Sequence, residues 1–119
     1  MSIAILLSVE QTEQALSLCD AVRSRPGMWI AHFDWFTADA FWSGYLLAID
    51  PNALSDFRTW GLEHIGAPDS NTIPVFELQR RHGLPADHAV DALWTRARAT
   101  EVAGLVCDVV AAYVRARSL

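Results

Sequence analysis

The chain has 119 residues, the size of one domain, and it carries a net charge of −5 without a single lysine. The charge is uneven, because residues 1–69 hold nine acidic residues and three arginines while residues 70–119 hold five acidic residues and six arginines. An acidic front half repels phosphate backbones, which argues against nucleic acid as a ligand and favours a basic protein partner.

The first residues of the chain are apolar but do not form a targeting signal. Residues 1–7 lack the basic flank and the small-residue cleavage site of a secretory leader, and residues 1–8 either pair as a strand or fray. The longest apolar run, residues 40–49, has ten residues, whereas a membrane-spanning helix needs about 20. We therefore expect a cytoplasmic chain with no membrane partner.

A first helix is predicted over residues 9–24. Ser8 and Gln11 have the spacing of a capping box, and apolar residues then recur at helical spacing. Pro26 and Gly27 end this helix, because proline cannot continue it and glycine permits a tight turn.

The two cysteines, Cys19 and Cys107, lie far apart in the sequence, and each is on an apolar helix face. A small apolar thiol is commonly buried, and disulfides are rare in reducing compartments. We therefore expect two buried free thiols rather than a disulfide.

Two helices are predicted in the middle of the chain. Thr37 is a suitable N-cap for the second helix, whose apolar face is broad. That face consists of Phe41, Trp42, Tyr45, Ala48 and Ile49. Asp50 and Pro51 offer a cap and a first-turn proline for the third helix. The buried side of the third helix is marked by Leu54, Phe57, Ile65 and either Trp60 or Gly61.

The second half of the chain is also predicted to be helical. Residues 66–71 form a loop, after which Pro74 starts a short fourth helix that ends at Gly83. Pro85 opens a long C-terminal helix with a 3.6-residue apolar period and a break near Thr100. No repeat or long linker divides the chain. We predict a single all-α domain spanning 1–119, a bundle of four to five helices.

The histidines and carboxylates do not form a catalytic or metal-binding motif. His88 and Asp91 are three residues apart on one helix, but a metal site needs a third and a fourth ligand. The nearest candidates, His82 and Asp87, have no motif spacing. The glycines are scattered rather than gathered in a phosphate-binding loop. We expect no metal, no cofactor and no enzymatic activity.

The first helix is followed by the string Arg25-Pro26-Gly27-Met28-Trp29. This string is similar to the RPGMYIG segment of type II topoisomerase ATPase domains. Those domains hold Mg²⁺ and nucleotide with a Glu-Asn helix motif and an Asp-x-Gly-x-Gly loop, and this chain has neither. We therefore expect no ATP binding.

A longer pattern resembles a family of small, uncharacterised bacterial helical proteins. That family places an RPGMYLG motif after its first helix, followed by an aromatic Gly-Tyr element, an F-x-x-W helix and a loop of Gly, Ser and Asn. The counterparts here begin at Arg25, Phe41, Phe57 and Gly66, with Trp29 in place of tyrosine and Ala31 in place of glycine. Some members resemble immunity proteins encoded beside bacterial toxins, which implies a protein-binding function.

Residues 29–45 hold seven of the twelve aromatic residues, a density that suits either a core or a binding surface. Our first hypothesis is a non-enzymatic protein-binding protein of the immunity or regulatory type. Its acidic face on the second and third helices would mask a basic protein, with charge speeding association and aromatic residues slowing dissociation. The face comprises Asp34, Asp39, Asp50, Asp56 and Glu63, with Trp35 and Phe36 as exposed anchors.

The second hypothesis is a small-molecule-binding module with a tryptophan-lined pocket. Its residues would be Trp29, Trp35, Trp42 and Trp60, with Arg25 or His64 orienting the ligand. A third is a homodimeric scaffold joined through the C-terminal helix, since 52% of the residues are apolar and only 19% are charged. The sequence leaves these alternatives open.

Overall fold

The computed structural model of the protein describes residues 4–29, 34–82 and 96–119. Within these ranges the chain forms five α-helices and one 3₁₀ turn and contains no β-strand, which confirms the predicted all-α bundle. The elements are α1 (Val9–Ser24), the 3₁₀ turn (Pro26–Met28), α2 (Trp35–Ile49), α3 (Ala53–His64), α4 (Pro74–His82) and α5 (Arg96–Ala116). Among the described helices, none combines the length and the apolar character of a membrane-spanning segment.

Helix α1 has the predicted bounds and the predicted capping box. The Ser8 hydroxyl accepts a hydrogen bond from the Gln11 amide at 3.1 Å, and the Gln11 side chain accepts one from the Ser8 amide at 3.0 Å. These two bonds satisfy backbone donors that the first turn of a helix leaves without partners. The start of α1 is therefore determined by residues within one helical turn.

Helix α2 begins three residues earlier than predicted, because its N-cap is Asp34 and not Thr37. The Asp34 carboxylate accepts a hydrogen bond from the Thr37 amide at 2.8 Å, and the Thr37 hydroxyl accepts one from the Asp34 amide at 2.9 Å. Thr37 is thus the third residue of a capping box that Asp34 opens. Both residue types cap helices well, and the backbone of Asp34 is extended as an N-cap requires.

The turn between α2 and α3 differs slightly from the prediction. Pro51 lies in the turn instead of the first turn of α3, and the Asp50 carboxylate accepts the Asn52 amide at 2.7 Å. Helix α3 then packs closely on α4, since a Cβ atom placed on Gly61 would lie 2.7 Å from Cγ of Pro74. Pro74 opens α4 as predicted.

Helix α5 is the centre of the bundle and contacts each of the other four α-helices. It runs through Thr100 without interruption, so the predicted break there is wrong. Its predicted start at Pro85, like the other predictions within residues 83–95, lies outside the described residues. The largest fully buried side chains of the core are Trp35, Trp42, Tyr113, Leu7 and Leu46, followed by six valines.

Leu7 lies beside the residues that follow α5. The Leu7 amide donates to the Arg117 carbonyl at 2.7 Å, and the Leu119 amide donates to the Leu7 carbonyl at 3.1 Å. This pairing is an isolated parallel bridge between Leu7 and Ser118 rather than a sheet. Ile5 and Leu7 point into the core, so this part of the N-terminal segment is packed and not frayed.

Candidate protein-binding surface

Three of the seven residues predicted to form a partner-binding face are buried. Asp34 is 2% exposed, Asp56 is 3% exposed and Trp35 is fully enclosed. The prediction of an exposed acidic face is therefore wrong at these positions, and so is the prediction of Trp35 as an exposed anchor. Asp34 is occupied as the cap of α2, and the Trp35 indole belongs to the core.

Asp56 is the centre of a buried polar cluster that we call the Asp56 cluster (Asp56, Tyr113 and Arg117). The Tyr113 hydroxyl donates to Oδ2 of Asp56 at 2.8 Å. Nε and Nη2 of Arg117 donate to the two carboxylate oxygens at 2.8 Å and 3.1 Å, which is the bidentate geometry that guanidinium and carboxylate groups favour. The cluster joins α3 to the end of α5.

The pKa values in this cluster follow from its hydrogen bonds. Burial alone would raise the pKa of Asp56, but the hydrogen bonds from Arg117 and Tyr113 outweigh burial and hold that pKa below its usual value. Burial and the bond to Asp56 both raise the pKa of Tyr113. Asp56 is therefore an ionised structural carboxylate with its oxygens engaged, which makes it unsuitable as an acid–base catalyst.

The other four residues of the predicted face are partly or fully accessible. Phe36 is 67% exposed, as predicted, and Glu63 is also exposed. Asp39 is half-buried and lies 3.8 Å from Nη2 of Arg58, and burial raises its pKa by more than the Arg58 charge lowers it. Asp50 is engaged in the turn before α3. These residues leave a weaker acidic face on α2 and α3 than we predicted.

The predicted tryptophan pocket does not form from the described side chains. Trp42 is buried in the core with Trp35, and its ring packs edge-on against Phe41 and Tyr45. Trp60 lies in a different aromatic group, stacked on His64 with ring centroids 4.5 Å apart.

Two further members of the predicted pocket are on the surface. Trp29 is 45% exposed. Arg25 is exposed and lies 3.8 Å from the sulfur of Met28. The proposed ligand-binding residues are therefore divided between the core, the α3 surface and the end of α1.

Trp29 instead forms part of a groove on the outside of α1, which we call the α1 groove. The groove has a volume of about 430 Å³. Its described lining residues are Glu13, Gln14, Ser17, Leu18, Ala21 and Trp29. The Trp29 ring is supported by an edge-on contact with Phe41, in which the two ring centroids lie 6.4 Å apart. The groove thus combines the aromatic ring of Trp29, the apolar side chains of Leu18 and Ala21, and the carboxylate of Glu13.

A second depression, open to solvent and about 470 Å³ in volume, lies between the loop after α3 and the end of α4. Its charged groups are engaged with one another, because the buried Glu77 carboxylate accepts hydrogen bonds from both Arg80 and Arg81. The bond from Arg80 is the main cause that lowers the pKa of Glu77. Arg81 also donates to the Ile65 carbonyl. The bond from Arg81 to the Ile65 carbonyl fastens α4 to the end of α3, whereas the bonds to Glu77 lie within α4. Sequence reasoning missed both.

The described residues also include candidate metal ligands and two cysteine thiols. These residues contain no group of three or more His, Cys, Asp and Glu side chains that could hold a metal ion. The pair His88 and Asp91 lies outside the described residues. Cys19 and Cys107 are free and buried, as predicted, but they meet between α1 and α5, where the Cys19 thiol and burial both raise the pKa of Cys107.

Comparison with known proteins finds no recognisable relative of this chain. The chain matches no family model, no curated protein and no solved structure. Its resemblance to small bacterial helical proteins with an RPGMYLG motif therefore stays a prediction, and the functional argument depends on the geometry of this chain.

Proposed function

We propose that this chain is a non-enzymatic protein-binding protein, of the immunity or regulatory type, that docks a basic protein segment in the α1 groove. The observation that carries the proposal is the exposed Trp29 indole beside Leu18, with Glu13 in the same groove. Tryptophan is among the residues most enriched in the energetic centres of protein interfaces. The Trp29 ring is 45% exposed in the free protein, so part of its apolar area remains in contact with water. A partner that covered this area would gain the free energy of burying it.

The support behind Trp29 makes it a suitable anchor. Its edge-on contact with Phe41, a residue of α2, restricts the ring before a partner arrives. A restricted aromatic side chain loses little conformational entropy on binding, so more of its burial contributes to affinity. The apolar stem of a lysine or arginine would lie along Leu18 and the indole, and its charged head would reach the Glu13 carboxylate.

Charge on α1 supports a basic partner. Glu10 and Glu13 are exposed on adjacent turns, and the Gln14 amide donates to Glu10 at 3.3 Å. Arg23 does not oppose them, because it pairs with Asp108 at 2.6 Å and lies 3.7 Å from Asp20. Carboxylates at the rim of a groove accelerate encounters with a positive surface, and added salt weakens that effect.

The proposal moves the partner-binding surface away from its predicted location. Asp34 and Asp56 are buried and hydrogen-bonded within the fold. Of the five predicted acidic groups, the α2 and α3 face therefore retains Asp39, Asp50 and Glu63. The α1 groove offers what that face lacks, which is an apolar concavity with a carboxylate beside it. The type of function stays as predicted, and its surface changes.

The test is affinity capture from the native host followed by mass spectrometry, at low and at high salt. We expect a basic protein to be captured at low salt and reduced at high salt. Glu13→Arg should abolish this capture, and Trp29→Ala should weaken it by about 30-fold, the effect of losing an interface centre of about 2 kcal/mol. Glu63→Arg is the matched control, since Glu63 is an exposed glutamate on α3, outside the groove.

Two results would contradict the proposal. If Glu63→Arg lost the partner while Glu13→Arg retained it, the α3 surface would be the binding site and the groove would not. Recovery of the bait alone at both salt concentrations would count against a basic partner altogether. Circular dichroism of each variant separates lost binding from lost folding, because the substituted side chains are exposed and should leave the helices intact.

A further inference from the structure

Helix α2 presents a continuous apolar face to solvent, which we call the α2 stripe. Its members recur at the helical spacings i, i+4, i+8, i+11 and i+12, so they share one side of the helix. All are exposed: Phe36, Ala40, Gly44, Leu47 and Ala48. Phe36 is 67% and Leu47 is 51% accessible. The opposite side of α2 is buried in the core through Trp35, Ala38, Trp42 and Leu46.

The α2 stripe is unusual for the outer face of a helix in a monomer. A surface helix normally has a polar outer side, and a helix that is apolar around its circumference is normally buried. Asp39 is the only charged residue of α2, and it lies at the edge of the stripe beside Arg58 from α3. Five of the fifteen residues of α2 therefore form an apolar surface that none of the described elements covers.

We propose that the α2 stripe is covered by a second copy of this chain, in a two-fold dimer with the two α2 helices packed antiparallel. The proposal is independent of the α1 groove, since the two surfaces share no residue. The dimer contact then lies on α2 and not on α5 as predicted. The apolar face of α5 is enclosed by the other four helices, whereas the apolar face of α2 is exposed.

The charge distribution selects a second copy over a basic partner. A two-fold axis through the stripe brings no like charges together, because none of its five members is charged. A basic partner would find one carboxylate at the edge of the stripe, Asp39, which already faces Arg58. Its positive groups over the five apolar members would be buried without a counter-charge, which is costly. The occupant that best matches an uncharged apolar face is another uncharged apolar face, and this chain supplies one in every copy.

The order of large and small side chains also fits an antiparallel pair. If each residue i faces residue 84 − i of the other copy, Phe36 lies opposite Ala48 of that copy, and Ala40 lies opposite Gly44. Large side chains then meet small ones at both ends, while small ones in the middle let the backbones approach. Gly44 has room for this approach, since a Cβ atom there would meet nothing within 4 Å. Antiparallel helix dipoles add a favourable term.

The area of the stripe sets the strength of the dimer. Residues 36–48 extend along about 18 Å of helix, and a face of that length is too small to bury the roughly 800 Å² per partner of a standard interface. We therefore expect a dimer weaker than about 1 μM, which populates as concentration rises. Such a dimer leaves both α1 grooves free for other partners.

The test is sedimentation velocity of the purified chain from about 1 μM to about 1 mM, a range that spans weak association. We expect the wild-type chain to shift from monomer to dimer within this range. Gly44→Leu should raise the dissociation constant at least about tenfold, because a wedge at the closest approach of two helices disrupts their packing. Gly104→Leu is the matched control, a glycine on α5 that also has open space around it, and it should leave association unchanged.

Other results would overturn the proposal. A wild-type chain that stays monomeric up to the highest concentration has no such dimer, and equal dissociation constants for wild type and Gly44→Leu would place the contact elsewhere. Capture of the basic partner distinguishes this failure from that of the proposed function, since Gly44→Leu leaves the α1 groove intact. A captured protein that is lost with Gly44→Leu, from a chain that is monomeric alone, would assign the stripe to a different protein.

Discussion

Asp56 and Phe36 belong to neighbouring helices, and their environments are the reverse of those their side chains usually occupy. The carboxylate is 3% exposed and receives hydrogen bonds from Tyr113 and Arg117, whereas the phenyl ring is 67% exposed. The Asp56 cluster uses charge to close the fold, and the α2 stripe leaves apolar area outside it. Charge is therefore a poor guide to the binding surface of this chain, because several charged groups are already paired internally.

The largest effect is expected for two adjacent aromatic residues. Trp35→Ala should lower the free energy of unfolding by about 3–5 kcal/mol, the cost of removing a large buried ring, and Phe36→Ala should change it by less than about 0.5 kcal/mol. Urea denaturation followed by circular dichroism measures both values. Similar losses for the two variants would mean that Phe36 is packed within the monomer, and the contrast between core and stripe would disappear.

The next effect is expected in the Asp56 cluster. Asp56→Asn keeps the size of the side chain but leaves Arg117 without its counter-charge, so we expect a loss of about 2–4 kcal/mol. Asp69→Asn is the control, since that aspartate is exposed in the loop after α3, and it should have little effect. The same urea titrations give both numbers.

The dependence of stability on pH checks the electrostatic origin of that loss. The pKa of Asp56 is lower in the folded chain than in the unfolded one, so its stabilisation is complete above the unfolded value of about 3.9 and disappears as pH falls through the folded value. Asp56→Asn should therefore flatten the acid side of the stability profile. If the stability of Asp56→Asn fell with acid as steeply as that of the wild type, other carboxylates would be responsible for acid unfolding.

The smallest effect is expected for two glycines in different surroundings. Gly61→Ala should destabilise the fold by about 1 kcal/mol, because its Cβ would collide with Pro74 and outweigh the gain in helix propensity. Gly44→Ala should stabilise the monomer by about 0.5–1 kcal/mol, because only the propensity gain applies in open space. Thermal unfolding at low protein concentration measures both. A loss at Gly44 would indicate an intramolecular neighbour for the stripe.

Features determined by nearby residues could be predicted from the sequence, and features determined by distant ones could not. The bounds of α1 follow from Ser8 and Gln11, which interact within one turn. Asp56 looked like a surface acid because its partners Tyr113 and Arg117 follow 57 and 61 residues later. No local pattern indicates that pairing.

The orientation of α2 illustrates the same limit. A helix with apolar residues on all sides has no polar stripe to indicate its outward face, so Trp35 and Phe36 were predicted alike although one is buried and the other is exposed. The α1 groove escaped prediction because Trp29 and Glu13 come together only through the turn after α1 and the packing of Phe41. The fold class can be predicted from the helical periodicity of apolar residues alone. Prediction of the candidate site also requires knowing which side of each helix faces solvent.

Residues 117–119 have an importance that their position after α5 does not suggest. Segments outside helices are commonly mobile, and removing them is commonly harmless. Here, trimming residues 117–119 would remove the guanidinium that neutralises Asp56, together with both backbone hydrogen bonds to Leu7. The loss of these three residues would thus act like a substitution in the middle of the core.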